Sequence, residues 1–498
     1  MLFDKNYMEE RNPMKKILRN IVCMLLCAVL ISAFLPAGAD ASFEIPGSWQ
    51  VQADSGVPYT VKTLDYGYDH NTYFSLRDLA MVLYGTDKSF SLEIAKDAVT
   101  LGLGENYAPV GVENAAWEDD GNPDITLRRN KFTVNGQAVY YYTLIMRLPS
   151  GQYDCFMMAA DLAMILDVNL TVPAAGTMQI DTQGSFWISP DALEQAGYFY
   201  GVNSVLVGDA STGEIYYRYQ SDTPYPIAST SKLMTYLLVM DAVSTGRMTL
   251  EQQVTISDAV QALSESGDGV LHLEAGQQIA VQELLLGMLL PSSNECALCL
   301  AEAVAGSEEA FVGMMNQKAL ELGLSQAVFF NSHGLPSYTE DPIPSKRQNR
   351  MSAEDMFRLA SYLLKVYPQI TDMTSRQTAV LASLAAEVRN TNPLLYNLPE
   401  VTGLKTGTTN KAGACLVTSL SVNDGMTTHD LVVIVLGTED SVERGRVSGL
   451  LARYALYTFY EGKGDAGAGA SDPAELPTHA EAAVEQILRT AREREGAF

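Results

Sequence analysis

The order of strand-like and helical segments after residue 200 constrains the fold more than any other feature of the chain. Ser204–Asp209 and Glu214–Tyr219 flank a Gly-containing turn and predict a β-hairpin. A helix-rich stretch follows over 229–398, two more strand-like segments come at 413–422 and 430–436, and a helix then ends the region. A parallel doubly wound fold would alternate strands and helices throughout. The order therefore predicts an α+β fold, with one antiparallel sheet and a helical subdomain inserted between its strands.

The region before residue 186 is rich in strand-like segments and contains an internal sequence repeat. Asp78-Leu-Ala-Met-Val-Leu83 recurs as Asp161-Leu-Ala-Met-Ile-Leu166, and each copy precedes a turn and another β-rich stretch. Asn135-Gly136, between the copies, is typical of a tight hairpin turn. Residues 42–185 are therefore predicted to be a small domain of two β-plus-helix repeats. A chain of 498 residues is long enough for this domain and a second, larger one.

The two ends of the chain have compositions that differ from the rest. Lys15, Lys16 and Arg19 precede a fifteen-residue apolar run, and Ala39-Asp-Ala41 then offers a small-residue cleavage site. This order predicts a signal peptide over 1–41 and export of the protein, since the run is short for a span of ~20 residues. A retained membrane anchor is the alternative. Residues 464–498 begin with Gly, Ala, Asp, Pro and Glu and are predicted to be a disordered tail.

Charge and cysteine usage exclude several function classes. Lys and Arg total 33 against 59 Asp and Glu, a net charge of −26, so a nucleic-acid partner is not expected. Cys296 and Cys299 have the spacing of one helical turn, without a second pair or a nearby His. A zinc site is therefore weakly supported. Two buried small apolar residues are the favoured interpretation, and a local disulfide is the alternative. No metal and no cofactor are predicted.

Ser229 and Lys232 form the first candidate catalytic pair. Positions i and i+3 share one face of a helix, and a serine hydroxyl needs an adjacent base to become a nucleophile. A lysine serves as that base only if its pKa is lowered, and the apolar run 233–240 would bury this helix and lower it. Taken alone, the pair is better explained as a serine at a helix start beside a solvated lysine.

Two further motifs follow in the chain. Ser292 and Asn294 stand in Pro291-Ser-Ser-Asn294, which alone predicts no more than a helix cap. Gly403-Leu-Lys-Thr-Gly-Thr-Thr409 combines glycines, which let a ligand approach a strand edge, with a positive charge and hydroxyl groups suited to a carboxylate. In this order the three motifs resemble those of penicillin-binding proteins and serine β-lactamases.

The flanking segments narrow the resemblance to one family. Residues 228–235, 330–335, 390–395 and 403–409 are similar to D-alanyl-D-alanine carboxypeptidases of peptidase family S11. The similarity covers about 200–461 and implies a transpeptidase-like catalytic domain over 186–463. Two residues beside the middle motif depart from the family: Ser293 stands where Gly or Ala is usual, and Glu295 where Asp is frequent. These two differences bear on the details of substrate recognition more than on activity.

The resemblance also implies an activity and a role for each motif residue. The protein would remove the terminal D-alanine from peptidoglycan stem pentapeptides on the cell-wall side of the cytoplasmic membrane, and penicillin would acylate the same serine. Ser229 would attack, Lys232 would take its proton, Ser292 would protonate the leaving amine, and Asn294 would orient Lys232. The backbone N–H groups of Ser229 and Thr408 would hold the oxyanion. The residues expected to receive the terminal carboxylate are Lys405, Thr406, Gly407 and Thr408.

The N-terminal repeats resemble, more loosely, the repeats named after the N-terminal domain of copper amine oxidases, which occur on exported proteins of Gram-positive bacteria. The resemblance covers roughly 55–182 and implies either a structural stalk or a module that docks the enzyme on the cell wall. It does not imply copper, because His70 is the only histidine in the region.

Three other functions remain open at this stage. A class A β-lactamase would need Glu and Asn separated by three residues between the second and third motifs, whereas Glu387 and Asn390 are separated by two. A DD-endopeptidase would use the same machinery on cross-links. A non-catalytic wall-binding or penicillin-sensing protein would belong to another class, although it would not require every motif residue to be intact.

Overall fold

The computed structural model describes most of the chain between Glu44 and Glu461. The described residues are 44–66, 71–113, 127–174, 176–187, 189–195, 198–199, 201–338, 346–423 and 425–461. The signal peptide predicted over 1–41, the tail predicted over 464–498 and His70 lie outside them. None of the described helices is both long and apolar enough to span a bilayer.

The N-terminal domain is one ten-stranded sheet with two short helices. Its strands are β1 (Glu44–Ala53), β2 (Tyr59–Tyr66), β3 (Asn71–Ser75), β4 (Phe90–Ile94), β5 (Ala98–Leu103), β6 (Leu127–Val134), β7 (Gln137–Arg147), β8 (Tyr153–Met158), β9 (Asn169–Ala174) and β10 (Thr177–Asp181). Its helices are α1 (Leu76–Val82) and α2 (Ala159–Leu166). The strand order is β4-β5-β6-β7-β8-β3-β2-β1-β10-β9. Asn135 and Gly136 form the β6–β7 turn with positive φ angles, as this dipeptide predicts.

The two repeats are interleaved in this sheet. Each contributes three strands, a helix and a hairpin, and β3 pairs antiparallel with β8 where the repeats meet. The hairpin of each repeat then joins the other repeat, since β5 pairs parallel with β6 and β10 pairs parallel with β1. Each repeat thus completes the sheet of the other, and the two form one folding unit.

The catalytic region contains thirteen strands among its described residues. They are β11 (Ser204–Asp209), β12 (Glu214–Tyr219), β13 (Tyr225–Pro226), β14 (Gln253–Thr255), β15 (Gln278–Ala280), β16 (Ser337–Tyr338), β17 (Lys346–Arg347), β18 (Arg350–Met351), β19 (Thr378–Leu381), β20 (Ala386–Arg389), β21 (Val401–Thr409), β22 (Gly413–Asn423) and β23 (Thr428–Thr438). Five of them form an antiparallel sheet of order β12-β11-β23-β22-β21. This sheet confirms the predicted α+β fold.

The helical subdomain lies between β12 and β21 in sequence. The described helices from the end of the N-terminal domain onward are α3 (Pro190–Gln195), α4 (Lys232–Ser244), α5 (Asp258–Ser264), α6 (Val281–Leu289), α7 (Asn294–Ala305), α8 (Glu308–Glu321), α9 (Ala353–Val366), α10 (Ile370–Thr374) and α11 (Ser441–Glu461). Three 3₁₀ turns join them, at Ala228–Ser231, Ala382–Leu384 and Pro393–Tyr396. The short strand pairs within this stretch were not predicted, because segments of two to four residues carry no readable hydrophobic period.

Helix α11 lies between the catalytic sheet and the N-terminal domain. Buried residues of α11, of the catalytic sheet and of the N-terminal sheet share one apolar core. Two arginines of the helix also reach α2 and the residue after it: Arg446 pairs with Asp161 at 3.0 Å, and Arg453 pairs with Asp167. The two domains are therefore joined through a common core and not only through a linker.

Candidate active site

Ser229 and Lys232 lie at the start of helix α4, where the 3₁₀ turn Ala228–Ser231 runs into it. Lys232 Nζ is 2.8 Å from Ser229 Oγ. The apolar residues that follow bury the helix on all sides, and Lys232 itself has no exposed surface. Burial in this apolar surrounding lowers the pKa of Lys232 to about 7, although Glu295 opposes the shift. A large fraction of this amine is therefore neutral at neutral pH.

The partners of the Lys232 amine fix the direction of its lone pair. Nζ lies 2.8 Å from Asn294 Oδ1 and 2.8 Å from the carbonyl oxygen of His333, in addition to Ser229 Oγ. Amide and peptide oxygens only accept hydrogen bonds, so they take the two N–H groups of a neutral amine. The lone pair then faces the hydroxyl of Ser229, which is the geometry that a general base requires.

The carbonyl of His333 is held by the segment that the sequence analysis compared with family S11. Asn331 Oδ1 accepts the N–H of Gly334 at 2.7 Å, and Asn331 Nδ2 donates to the carbonyl of Leu335. Thr235 of α4 donates to the carbonyl of Ser332 and so ties the segment to the lysine helix. Burial lowers the pKa of His333 to about 3, so its ring stays neutral beside Lys232.

The second motif begins helix α7. Asn294 accepts from Lys232 and donates through Nδ2 to the carbonyl of Asp268 at 2.8 Å. Ser293 caps the helix, because its side chain accepts the N–H of Cys296, which gives a structural reason for a serine at this position. Ser292 precedes the cap with φ +69°, a left-handed conformation that is strained for a side-chain-bearing residue, and stays partly exposed.

Glu295 supports the loop on the other side of Asn294. Its side chain is fully buried, and Oε1 accepts the backbone N–H groups of Val270 and Leu271. The same loop presents the carbonyl of Asp268 to Asn294. The longer carboxylate at this position therefore orients the loop. It acts on Lys232 only by electrostatic interaction, without a hydrogen bond.

The third motif lies on strand β21, at the edge of the sheet. Gly407 stands against the serine, since a Cβ atom at this position would lie 2.9 Å from the backbone nitrogen of Ser229. Lys405 is buried and donates to the carbonyl of Thr406. Burial, together with the charges of Lys232 and Arg444, holds its pKa well below the usual range.

Segment 391–392 supports β21 from the side. The hydroxyls of Thr391 and Thr406 are hydrogen-bonded to each other, and Asn392 Nδ2 donates to the carbonyl of Gly403 at 3.1 Å. The structure thus brings all three motifs to one place, although together they span more than 170 residues of the chain.

Arg444 is a further site residue that the sequence analysis missed. It lies in the first turn of α11 and donates through Nη1 to Thr408 Oγ1 at 3.2 Å. Only 6% of Arg444 is exposed, and Nε has no hydrogen-bond partner among the described residues. Burial lowers the pKa of Arg444 to about 10, which leaves it charged at neutral pH. No sequence motif marks this arginine, because its relation to Thr408 arises from the packing of α11 beside β21.

The positions considered for a β-lactamase have other surroundings. Glu387 is exposed on β20. The side chain of Asn390 instead stabilises the backbone of neighbouring segments. It donates to the carbonyls of Thr374 and Arg376 and accepts the N–H of Asn392. Within the described part of the chain, neither residue has a hydrogen bond to Ser229 or Lys232.

Metal-binding groups are not assembled here. The described residues contain no cluster of three or more His, Cys, Asp or Glu side chains suited to a metal. Cys296 and Cys299 are free thiols on α7, and both are buried, which matches the favoured interpretation of their spacing. Burial raises the pKa of Cys299 to about 12, so this thiol is protonated at neutral pH.

Comparison with known proteins identifies the family. The family model described as Peptidase S11, D-alanyl-D-alanine carboxypeptidase, matches residues 200–440. The D-alanyl-D-alanine carboxypeptidase DacF of Bacillus subtilis is 32% identical over 272 residues, which are 54% of this chain and 66% of that protein. The D-alanyl-D-alanine endopeptidase of Pseudomonas aeruginosa is 32% identical over 225 residues, 44% of this chain and 67% of that protein. The chain belongs to peptidase family S11.

The S11 match is partial in length. The alignments cover 66% of DacF and 56% of the carboxypeptidase DacC of Escherichia coli, so the chain spans less than two thirds of either. Among solved structures, penicillin-binding protein 3 of Streptococcus pneumoniae aligns with a TM-score of 0.47 at 32% identity, over 51% of this chain and 73% of that one. Penicillin-binding protein D2 of Listeria monocytogenes, in its ampicillin-bound form, aligns with a TM-score of 0.44 at 27% identity, over 51% and 97%.

Proposed function

We propose that this S11 protein is a serine-type D-alanyl-D-alanine carboxypeptidase that β-lactams inhibit by acylating Ser229. The observation that carries the proposal is the geometry of Lys232. Its amine is hydrogen-bonded to Ser229 Oγ, while its two N–H groups are taken by the oxygens of Asn294 and His333, which can only accept. A merely structural lysine would be solvated or paired with a carboxylate. Here burial lowers its pKa to about 7 and leaves a base beside a hydroxyl.

Acylation is the first step of the proposed reaction. Lys232 removes the proton of Ser229 as Oγ attacks the carbonyl of the penultimate D-alanine. The backbone N–H groups of Ser229 and Thr408 stabilise the oxyanion in this proposal. Support comes from Gly407, whose lack of a side chain lets β21 approach the backbone of Ser229. Ser292 passes a proton to the leaving D-alanine amine, and its partial exposure leaves the hydroxyl within reach of a ligand.

The terminal carboxylate of the substrate is recognised on β21. In the proposal it lies beside Lys405 and the hydroxyls of Thr406 and Thr408, with Arg444 behind them. Arg444 is buried, charged and incompletely hydrogen-bonded among the described residues, so a carboxylate would neutralise it and complete its contacts. Water then hydrolyses the acyl-enzyme and releases the shortened stem peptide.

Intact mass spectrometry tests the proposed nucleophile. We expect the purified protein to gain the mass of one penicillin, and the Ser229→Ala variant to gain none. Ser231→Ala is a matched control, because this serine of the same turn donates to the carbonyl of Ala228 and faces the interior. D-alanine release from a stem pentapeptide should follow the same pattern. Rapid turnover of penicillin without an adduct would instead identify a β-lactamase, and intact penicillin without an adduct a non-catalytic protein.

We also propose that the protein is exported, acts outside the cytoplasmic membrane, and touches the cell wall through its substrate. The basic and apolar segments before residue 42 support export. For the N-terminal domain, the shared core and the ion pairs with α11 favour support of the catalytic domain over an independent wall-binding module.

A further inference from the structure

Helix α11 begins with a carboxylate cap one turn before Arg444. Asp440 Oδ1 accepts the backbone N–H groups of Val442 at 2.7 Å and of Glu443 at 3.0 Å. The carbonyl oxygen of Asp440 accepts the backbone N–H of Arg444 at 3.1 Å. A side chain that binds the free N–H groups of the first turn fixes where a helix begins. Asp440 therefore sets the position of the turn that carries Arg444.

The N-terminal domain holds this cap from outside the helix. Tyr142 of β7 donates its hydroxyl to Asp440 Oδ2 at 2.8 Å, and Arg129 of β6 donates through Nη2 to Ser441 Oγ at 3.1 Å. Arg129 and Tyr142 are directly opposite each other in the β6–β7 pair, so their side chains lie on the same face of the sheet. One cross-strand pair of the N-terminal domain thus contacts both the cap and the first residue of α11.

The hydroxyl of Tyr142 is a donor over the whole working range of pH. Burial, together with the hydrogen bond to Asp440, raises the pKa of Tyr142 to about 12. The phenol therefore keeps its proton at neutral pH, and the carboxylate of Asp440 accepts it. With Tyr142 on Oδ2 and two backbone N–H groups on Oδ1, both oxygens of the carboxylate have partners.

The carboxylates near Arg444 leave it with a charge that a substrate can balance. Burial lowers the pKa of Arg444 to about 10, while the charge of Asp440 opposes this shift and that of Arg129 adds to it. Glu443 stands in the same turn but accepts from Arg446 at 3.1 Å. Asp440 is thus the carboxylate that acts on Arg444, and it does so without a hydrogen bond between the two side chains among the described residues.

Arg444 reaches the third motif through one hydrogen bond. Its Nη1 donates to Thr408 Oγ1 at 3.2 Å, and Nε has no partner among the described residues. The place of the guanidinium therefore depends on the backbone of α11. A helix advances by 1.5 Å and turns by about 100° with each residue, so a small change at its start moves Arg444 relative to Thr408. Misplacement by about 1 Å is enough to lower the rate of an enzyme about a hundredfold.

We propose that Tyr142 is a positioning residue: through Asp440 it holds Arg444 beside Thr408, and so sets the preference of the enzyme for substrates with a free terminal carboxylate. This inference rests on the proposed function and gives the N-terminal domain a part in substrate specificity. Tyr142 itself does not touch the substrate. Its hydroxyl acts on recognition of the carboxylate through the start of α11.

The nucleophile is supported by other elements. Lys232 is hydrogen-bonded to Asn294 of α7 and to the carbonyl of His333, and neither of these residues has a hydrogen bond to α11 among the described residues. Loss of the Tyr142 hydroxyl should therefore weaken recognition of the carboxylate and leave the attack by Ser229 intact. A contact that only fastened the two domains together would lower stability without changing the preference between substrates.

Two thiolester analogues of the stem peptide test the inference, one with a free terminal carboxylate and one in which that carboxylate is a methyl ester. Release of the thiol gives kcat/KM for each, measured well below the unfolding temperature. We expect the wild-type protein to prefer the carboxylate. Tyr142→Phe should lower kcat/KM for the carboxylate about tenfold, as for the loss of one hydrogen bond to a charged group, and for the methyl ester less than about twofold.

Tyr140→Phe is the matched control. This tyrosine lies two positions away on β7 and is 43% exposed, and its hydroxyl has no hydrogen bond among the described residues. Its ring, which lies 4.6 Å from the guanidinium of Arg129, is retained in the variant. Both kcat/KM values should therefore equal those of the wild-type protein. An equal loss in the Tyr140 and Tyr142 variants would remove Asp440 from the effect and overturn the inference.

A double-mutant cycle tests whether Tyr142 acts through Arg444. Arg444→Ala should remove most of the preference for the carboxylate, and adding Tyr142→Phe should change the ratio of the two kcat/KM values no further. An additional loss in the double variant would show that Tyr142 acts by another path. If Tyr142→Phe lowers the unfolding temperature and leaves the ratio unchanged, the residue is only a structural contact. Either result overturns the inference.

The wild-type protein separates this inference from the proposed function. If it hydrolyses both thiolesters and the ratio is unchanged in Tyr142→Phe, the inference fails and the proposed function stands. If it hydrolyses neither and forms no penicillin adduct, the proposed function itself is wrong. Equal hydrolysis of the two thiolesters by the wild-type protein would overturn the carboxylate site on β21, and the inference with it.

Discussion

Lys232 shows how burial changes the protonation of a single residue. Taking the ammonium out of water disfavours the charged form, and no carboxylate is hydrogen-bonded to it in compensation. The spacing of Ser229 and Lys232 and the apolar run after them made this predictable from the sequence. Their partners were not predictable in the same way, since Asn294 and His333 lie 62 and 101 positions further along the chain.

We predict that penicillin acylates Ser229 faster as pH rises through about 7 and at a constant rate above that. The free amine of Lys232 is the reactive form, and its pKa is lowered to about 7. At pH 5 only about 1% of a group with that pKa is unprotonated, so the rate should fall roughly a hundredfold. Stopped-flow acylation with a chromogenic cephalosporin measures the profile. The ring of His333, with a pKa of about 3, does not titrate in this window.

The lowered pKa of Lys232 also makes the free energy of unfolding depend on pH, and this dependence serves as a control. Lys232 has a lower pKa in the folded protein than in the unfolded chain, so the unfolded chain binds more protons between about pH 7 and pH 10.5. The contribution of this residue to the unfolding free energy therefore rises with pH across that window and is constant below it. A slow acylation at pH 5 that tracked loss of near-ultraviolet circular dichroism would reflect unfolding and not the base. An acylation rate that is flat from pH 8 to pH 5 would exclude Lys232 as the base.

At the scale of elements, the candidate site depends on strand β21 lying directly against the turn that carries Ser229, the proposed nucleophile. The long strands and helices of the catalytic domain were predictable, because their hydrophobic patterns are strong. The route by which α11 brings Arg444 to Thr408 was not, because it depends on packing between a strand and a helix about 36 residues apart. The interleaved hairpins of the N-terminal sheet escaped prediction for the same reason, although the repeat itself is visible in the sequence.

We predict that Gly407→Ala lowers the acylation rate at least tenfold without unfolding the protein. The added Cβ would stand 2.9 Å from the nitrogen of Ser229 and 3.0 Å from Ile227 O, and both are backbone atoms that cannot rotate away. Strand β21 must shift, and displacements of this order at a reacting centre are costly. Gly313→Ala is the matched control: no atom lies within 4 Å of its Cβ position on α8, so acylation should be unchanged and stability should rise by about 0.5–1 kcal/mol. Equal acylation by both variants would contradict a tight contact at Gly407.

At the scale of the whole molecule, α11 joins the two domains into one structural unit. The first repeat keeps its buried Asp78 paired with Lys62 of its own sheet at 3.0 Å. The second repeat has Asp161 at the corresponding position, and its partner is Arg446 of the catalytic domain. One copy of the repeated aspartate thus holds its own domain together, and the other joins the N-terminal domain to α11, the helix that carries Arg444.

We predict that the wild-type protein unfolds in a single calorimetric transition and that Asp161→Ala splits it into two. Removing Asp161 leaves Arg446 buried without its main partner. The loss destabilises the contact between the two domains by about 3–5 kcal/mol. Asp78→Ala removes the equivalent aspartate inside the N-terminal domain, so it should lower the single transition temperature without dividing the transition. Two transitions in the wild-type protein would mean that the shared core does not couple the domains. If only Asp161→Ala uncouples them, the second repeat fixes the helix that presents Arg444 to β21.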